Sequence, residues 1–202
     1  IVRHIDSRPD INDLSEKLFQ LGHEHEILDG IFDMEITPNR GDCLSLNGLL
    51  RDLRLFYDVS FNKDLYDKEI SLFPFQFINE AKESCSNISF LKIDIDNIPF
   101  KYQEFLEDYF TDLNIKKINF FTDISNYLSY ETGQPTHCYD SSSIDGPIKL
   151  KFLNKSHEFE TLLDKKINID SGNLVFSDKK DDVINFASLI GGKNTACRTY
   201  TK

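Results

Sequence analysis

The chain has 202 residues, of which 40% are hydrophobic and 28% charged, and its formal net charge is −11. This composition is typical of a globular protein with one or two domains and a substantial hydrophobic core. The acidic charge argues against broad, autonomous binding to nucleic acid, which needs lysine and arginine to displace counterions from phosphates. It leaves room for contact with a nucleic-acid end that another subunit delivers.

The cysteines, at positions 43, 85, 138 and 197, lack the CxxC spacing of zinc ribbons and redox pairs. The sequence has no signal peptide and no apolar run of about 18 residues. Together these features predict a cytoplasmic protein with cysteines in the thiol form and no membrane partner. Because the chain starts with Ile1 and stops at Lys202 after a polar run, we expect a fragment at both ends.

The first third of the chain predicts helices and one hairpin. Apolar spacing indicates a helix over 10–21, with Asp10 or Asn12 as its cap and Gly22 as the left-handed residue that ends it. Short strands at 26–28 and 31–36 are expected around an Asp29–Gly30 turn.

Pro38 and Gly41 interrupt regular structure in the next segment, where Arg40 and Asp42 are expected to form an ion pair that holds the loop. A helix is predicted over 44–56. The polar stretch 60–70 is predicted to connect two domains. We place the domain boundary near residue 66, so that the domains cover 1–66 and 67–202.

The remainder predicts helices first and strands afterwards. Helices are expected over 101–113 and 123–131, the second beginning near Thr122 or Asp123 and closing at Gly133. The predicted strands are 89–95, 148–153, 158–163, 174–176 and 183–190. This order favours an α+β fold over a doubly wound α/β sheet. We expect a small amino-terminal α/β domain and then a mixed α+β module with a β-rich second half.

His137 is the first candidate site residue. It follows a Gly-Gln-Pro stop after a helix, which predicts an irregular and partly exposed loop. There it could bind a substrate, hold a water molecule or serve only the structure of the loop. Ser125 and Asn126, on the preceding helix, could share a polar pocket with His137, or belong simply to a helix cap.

Gly191 and Gly192 end an apolar run. A glycine pair at a strand end permits φ > 0 and close approach of the backbone to a ligand, although a plain turn explains it equally. The pair is not a phosphate loop, because no Lys-Ser/Thr pair follows at the required spacing. The residues alone reveal no Ser–His–Asp order and no metal-binding cluster, so we expect no resident metal.

Taken together, the segments resemble the phenylalanyl-tRNA synthetase β-subunit family. Five motifs occur in the family's order and near its spacing. They are Thr37-Pro-Asn-Arg-Gly-Asp-Cys-Leu-Ser45 with Gly48-Leu-Leu-Arg-Asp52, Asp123-Ile-Ser-Asn-Tyr127, Gly133-Gln-Pro-Thr-His-Cys-Tyr-Asp140, Glu158-Phe-Glu-Thr-Leu-Leu-Asp164 and Leu189-Ile-Gly-Gly192.

The resemblance implies a small amino-terminal domain and an editing module that hydrolyses tyrosine wrongly attached to the phenylalanine tRNA. It places the editing histidine at His137, the Thr-Asn pair at Ser125 and Asn126, and the pocket glycine at Gly191 or Gly192. His137 would position substrate or water while water attacks the aminoacyl ester. The implied partners are the α subunit, the acceptor end of the tRNA and tyrosine, with no DNA. No cofactor is implied for this chain, because ATP and Mg²⁺ are used at the other subunit.

The chain also departs from the family pattern. Serine replaces threonine at Ser125, the glutamate that recognises the tyrosine hydroxyl would lie beyond Lys202, and the oligonucleotide-binding-fold insertion before Thr37 is missing. Two alternatives therefore stay open. The chain could be a non-catalytic part that helps assembly and tRNA positioning with editing lost, or a free-standing aminoacyl-tRNA deacylase.

Overall fold

The computed structural model describes residues 1–60 and 71–202, which form an α+β fold. The predicted fold class is thus confirmed. The described residues divide into two compact units. The first contains 1–60, 101–117 and 123–136, and the second contains 71–100, 118–122 and 137–202. The boundary predicted near residue 66 falls outside the described residues and stays a prediction. No helix within 1–60 and 71–202 is both long and apolar enough to cross a membrane.

In the first unit, helix α1 (Ile11–Gln20) begins where Asp10 accepts hydrogen bonds from the N–H groups of Asn12 and Asp13, at 2.8 and 3.0 Å. Gly22 ends it with φ +83°. Strands β1 (Glu24–Leu28) and β2 (Ile31–Glu35) follow as an antiparallel hairpin. Both turn residues, Asp29 and Gly30, have positive φ, which is the type I′ geometry expected of an Asp-Gly pair.

Helix α2 (Leu46–Leu53) is shorter than the predicted 44–56, because a 3-10 segment (Pro38–Cys43) precedes it and the Ser45 side chain caps it by accepting from the Gly48 N–H. Helices α3 (Glu104–Asp112) and α4 (Phe120–Thr132) follow, and α4 belongs to the first unit from Asp123 onward. The fully buried core of this unit is aliphatic: Ile5, Leu14, Leu18, Leu50 and Leu53.

Helix α4 starts three residues earlier than predicted, so the expected start near Thr122 or Asp123 is wrong. Asn119 accepts a hydrogen bond from the Thr122 N–H at 3.0 Å and thus occupies the capping position. Asp123 is instead fully buried inside the helix, where the Tyr102 hydroxyl donates to it at 2.7 Å. The predicted end is confirmed, since Gly133 has φ +75°.

The second unit holds a five-stranded sheet and a separate hairpin. The sheet order is β3 (Phe77–Asn79), β4 (Ile148–Phe152), β7 (Leu174–Ser177), β8 (Val183–Phe186) and β9 (Ile190–Gly191). Only the β3–β4 pair is parallel. Strands β5 (His157–Glu160) and β6 (Lys166–Ile169) form the hairpin. Phe159, Ile169 and Val175 are the buried centre of one core cluster.

Two strand predictions are wrong, and two strands were missed. The segment 89–95 is not a strand, and its Leu91 and Ile93 are exposed. The predicted strand 183–190 is two strands, since a turn intervenes where Ser188 has φ +64° and the Leu189 N–H donates to the Phe186 carbonyl. Strands β3 and β6 were not predicted, because segments of three and four residues show too little alternation.

Candidate functional site

His137 lies in the second unit, in the segment that follows α4, and its imidazole rests directly on the backbone of Gly191. A Cβ atom built on Gly191 would lie 2.2 Å from Cε1 and 2.5 Å from Nε2 of His137. No side chain can occupy that space while the ring stays in place. The ring also meets Tyr139 edge-on, with centroids 4.6 Å apart. The structure therefore brings together two of the predicted site residues, His137 and Gly191.

Neighbouring atoms lie so close to Gly191 and Gly192 that neither position can accommodate a side chain. A Cβ on Gly192 would lie 2.9 Å from the Ile184 carbonyl oxygen and 3.1 Å from the Phe159 ring. The Gly192 N–H donates to that same carbonyl at 2.8 Å, and the Gly191 carbonyl accepts from Leu162 at 3.0 Å. The φ > 0 explanation does not apply, since neither glycine has positive φ. Both positions require glycine because there is no space for a side chain.

The segment carrying His137 is tied to the chain that follows the glycine pair. Tyr139 forms an antiparallel bridge with Ala196, and the Asp140 N–H donates to the Thr195 carbonyl at 2.9 Å. The buried Asp140 carboxylate accepts from the Ser142 hydroxyl at 2.6 Å and from the Thr201 hydroxyl at 2.8 Å. The hydrogen bond from Ser142 is the main cause that lowers the pKa of Asp140, and the Thr201 bond adds to it.

Asp140 is thus an anchor that the sequence analysis did not single out. Its signal was present in the sequence, because an aspartate followed by three serines is a typical start for a side-chain-capped turn. Its partner Thr201 lies 61 residues away, and nothing in the local pattern indicated that contact.

The surrounding protein removes water from the His137 imidazole, and this desolvation lowers its pKa below the ordinary 6.5. The residue still presents an exposed surface. Protein therefore covers the ring on the side of Gly191 and Tyr139, while part of the residue remains open to solvent. A neutral imidazole in that setting offers one donor and one acceptor nitrogen near neutral pH.

Ser125 and Asn126 lie on α4 in the first unit and are half-buried. The Ser125 hydroxyl is 2.8 Å from the Thr136 hydroxyl, and the Thr136 hydroxyl donates to the Ser125 carbonyl at 2.9 Å. Ser129 joins the same network, 2.8 Å from the Thr136 hydroxyl. In this arrangement Ser125 ties the chain after α4 back to the helix.

Three residues far apart in sequence place possible metal ligands within 4.8 Å of one another: His23, Cys43 and Asp52. Arg40 already brings a cation there, with Nη2 at 2.5 Å from Asp52 and 2.9 Å from the Cys43 sulfur. Burial raises the pKa of the Cys43 thiol to about 11, which keeps it protonated at neutral pH. In this structure Arg40 and these three residues form one hydrogen-bonded cluster.

Arg40 also makes the predicted ion pair with Asp42, through Nε–Oδ1 and Nη2–Oδ2 contacts of 3.2 Å each. That prediction is confirmed. The hydrogen bond to Arg40 is the main cause that holds the pKa of Asp42 far below its usual range. Through Asp52, the same arginine connects this segment to α2, a contact that the sequence analysis did not predict.

Comparison with known proteins agrees with the motif order. A family model described as the B3/4 domain matches residues 91–202. The phenylalanine–tRNA ligase beta subunit of Cutibacterium acnes is 30% identical over 184 residues, which cover 90% of this chain and 21% of that protein. The same-named protein of Bartonella quintana is 25% identical over 178 residues, covering 86% and 22%.

The chain thus spans about a fifth of the length of the curated relatives it matches. An N-terminal fragment of the phenylalanyl-tRNA synthetase beta subunit from Pyrococcus horikoshii is 15% identical, with a TM-score of 0.43, covering 96% of this chain and 61% of that one. The resemblance predicted from the five motifs is confirmed by the family match and by the names of the relatives.

Proposed function

Because the chain belongs to the B3/4 domain family, we propose that it forms the amino-terminal and editing part of a phenylalanine–tRNA ligase β subunit. In this role it supports phenylalanine attachment to tRNA and hydrolyses tyrosine from mischarged tRNA. Its partners are the α subunit, which uses ATP and Mg²⁺, and the acceptor end of the tRNA. A cytoplasmic location follows from that role.

Such an enzyme needs editing because its phenylalanine pocket also accepts tyrosine. A pocket shaped for phenylalanine rejects tyrosine poorly, because a hydrophobic pocket discriminates against one added hydroxyl by only ~10²-fold. A second site must therefore recognise the hydroxyl by hydrogen bonds. Phenylalanine leaves such buried polar groups unpaired, so the correct product is spared.

The contact between His137 and Gly191 is the observation that carries this proposal. It places an imidazole against bare backbone at the end of β9, in a segment anchored by the buried Asp140. Desolvation keeps that imidazole neutral near pH 7. A neutral ring does not repel the positively charged α-amino group of an aminoacyl ester, and it can hold a water molecule or the substrate by a hydrogen bond.

We assign His137 the positioning of the ester or of the attacking water. Water then adds to the ester carbonyl, and the terminal ribose of the tRNA leaves as an alcohol. Gly191 supplies the space for the ring, and Gly192 keeps the adjoining backbone against Ile184. Ser125 and Asn126, which lie in the first unit, remain proposed substrate-binding residues. The engagement of the Ser125 hydroxyl with Thr136 favours a supporting role for that residue.

The test uses the full-length β subunit assembled with its α subunit and phenylalanine tRNA charged with tyrosine. His137→Ala is expected to slow tyrosine release on the order of 10²-fold, because a displaced reacting group costs about that much. Phenylalanine activation should be unchanged. His157→Ala, a histidine on β5 of the same unit, is the matched control and should release tyrosine at the normal rate. Normal release by His137→Ala would remove His137 from the site.

In the alternative role, editing is lost and the chain serves only in assembly. The net charge of −11 supports this alternative, because it disfavours tRNA binding by this chain. The same assay separates the two roles. An assembled enzyme that charges phenylalanine normally but never releases tyrosine would favour the assembly role. A free-standing deacylase would instead release tyrosine without any α subunit.

A further inference from the structure

Cys138 and Cys197 face each other across a short antiparallel pairing. Tyr139 pairs with Ala196, and the Asp140 N–H donates to the Thr195 carbonyl. One step along the same register, residue 138 lies opposite residue 197. Residues opposite each other in an antiparallel pair have Cα atoms about 4.5 to 5.5 Å apart. That separation falls within the range that a disulfide spans.

The two side chains are in direct contact. The Cys197 thiol is hydrogen-bonded with the Cys138 side chain, and this bond together with burial holds the pKa of Cys197 well above its ordinary value. Cys197 is only 7% exposed, whereas Cys138 is half-buried and also lies 3.8 Å from the Thr122 hydroxyl. Both cysteines are in the thiol form.

From this geometry we propose that Cys138 and Cys197 are a modification site, at which a peroxide oxidises the two thiols to a disulfide. Cys138, the more accessible sulfur, reacts first. The buried Cys197 then resolves the oxidised form. The inference concerns the chemistry of this pair alone and does not depend on the proposed function.

The reaction balances with one peroxide. The Cys138 sulfur attacks one peroxide oxygen, the O–O bond breaks, and the leaving hydroxide takes the thiol proton to become water, which leaves a sulfenic acid. The Cys197 sulfur then attacks the Cys138 sulfur. The S–S bond forms, the S–O bond breaks, and the departing hydroxyl takes the Cys197 proton as a second water. Two thiols and one peroxide thus yield one disulfide and two waters.

The position of the pair connects it to the candidate site. Cys138 directly follows His137, whose ring rests on Gly191, and Cys197 lies a few residues beyond the glycine pair. A covalent bond between 138 and 197 would fasten the segment carrying His137 to the chain after the glycine pair. In the thiol form the Tyr139–Ala196 bridge and the hydrogen bonds around Asp140 are among the non-covalent contacts that hold these segments together.

The experiment treats the purified full-length protein with hydrogen peroxide. Remaining thiols are blocked with N-ethylmaleimide, and a non-reduced digest is analysed by mass spectrometry. We expect a peptide pair joined through Cys138 and Cys197 that disappears after dithiothreitol. Cys85→Ser, which changes another half-buried cysteine of the same unit, should still yield this pair. Cys138→Ser and Cys197→Ser should each abolish it.

Dimedone, which labels sulfenic acids, tests whether Cys197 is the thiol that reacts with oxidised Cys138. In Cys197→Ser, dimedone should label Cys138 several-fold more than in the unchanged protein, because the sulfenic acid has lost the thiol that consumes it. Equal dimedone labelling of both proteins would overturn the proposal. So would peroxide-treated protein in which Cys138 is oxidised to sulfinic acid while Cys197 still reacts with N-ethylmaleimide after unfolding.

Discussion

At the scale of single residues, the tightest constraint in the second unit is the contact of His137 with Gly191. The glycine is needed for space and not for its backbone angle, because even the smallest side chain would overlap the imidazole at 2.2 Å. Backbone atoms around Gly191 are held by the Leu162 hydrogen bond, so the ring is the part that must move.

Gly191→Ala is therefore expected to displace the His137 ring and to slow the proposed release of tyrosine by about 10²-fold, since misplacement of a reacting group by about 1 Å costs that much. The rate of tyrosine release from mischarged tRNA by the assembled enzyme is the measurement. Gly41→Ala is the matched control, because a Cβ there meets nothing within 4 Å. Equal rates for the two variants would mean that the contact has no part in editing.

Protonation of His137 should make the stability of the fold depend on pH. Its pKa is lowered in the folded state, so the unfolded chain binds a proton at pH values where the folded site is still neutral. The contribution of neutral His137 to the free energy of unfolding is fully present above pH 6.5, the ordinary pKa of histidine. It is lost as the pH falls below that value. Burial lowers the pKa of His4 as well, and His4 acts in the same direction.

We expect urea unfolding to show a lower free energy of unfolding at about pH 5.5 than at about pH 7.5. His137→Gln should reduce that difference. An NMR titration of the His137 ring gives a direct check. A midpoint at or above 6.5 would contradict the desolvation seen in the structure.

At the scale of elements, local chemistry determined where several of them begin and end. The Asp10 cap, the left-handed Gly22 and the Asp29–Gly30 turn were all predicted from residue type and confirmed. These features depend on contacts within four residues. The unpredicted strands β3 and β6 depend on pairing, since β3 gains its ladder from β4, which lies far along the chain.

Helix α1 provides a matched test of its buried and exposed faces. Leu18 is fully buried in the aliphatic core, and its neighbour Phe19 is 70% exposed. Leu18→Ala should lower the free energy of unfolding by roughly 2–5 kcal/mol, because it removes buried methyl groups and leaves a cavity. Phe19→Ala should change it by at most about 0.5 kcal/mol. Similar losses in the two variants, measured by urea unfolding, would contradict the assigned face of α1.

At the scale of the whole molecule, the net charge determines whether the chain can bind nucleic acid without a partner. Lysine and arginine number 23 against 34 aspartates and glutamates. Many of these cations are already paired with carboxylates, as Lys193 is with Glu160 and Asp164. The excess of carboxylates repels the phosphates of a nucleic-acid backbone, so it opposes binding that depends on the release of counterions.

We expect this chain, titrated without the α subunit, to bind uncharged tRNA or duplex DNA with a dissociation constant weaker than about 100 μM at roughly 0.15 M salt. Fluorescence anisotropy at about 0.05 and 0.2 M salt measures it. Micromolar binding that weakens steeply with salt would instead reveal a basic surface that the net charge conceals.

The fold class, the family resemblance and the ends of several elements could be predicted without a structure, because they follow from residue type, spacing and the order of motifs. The sequence also indicated His137 and the glycine pair as candidates. The packing of His137 on Gly191 and the position of Cys138 opposite Cys197 could be seen only in the folded chain. The physical reason is that such contacts join distant parts of the chain through strand register, which no local pattern of residues specifies.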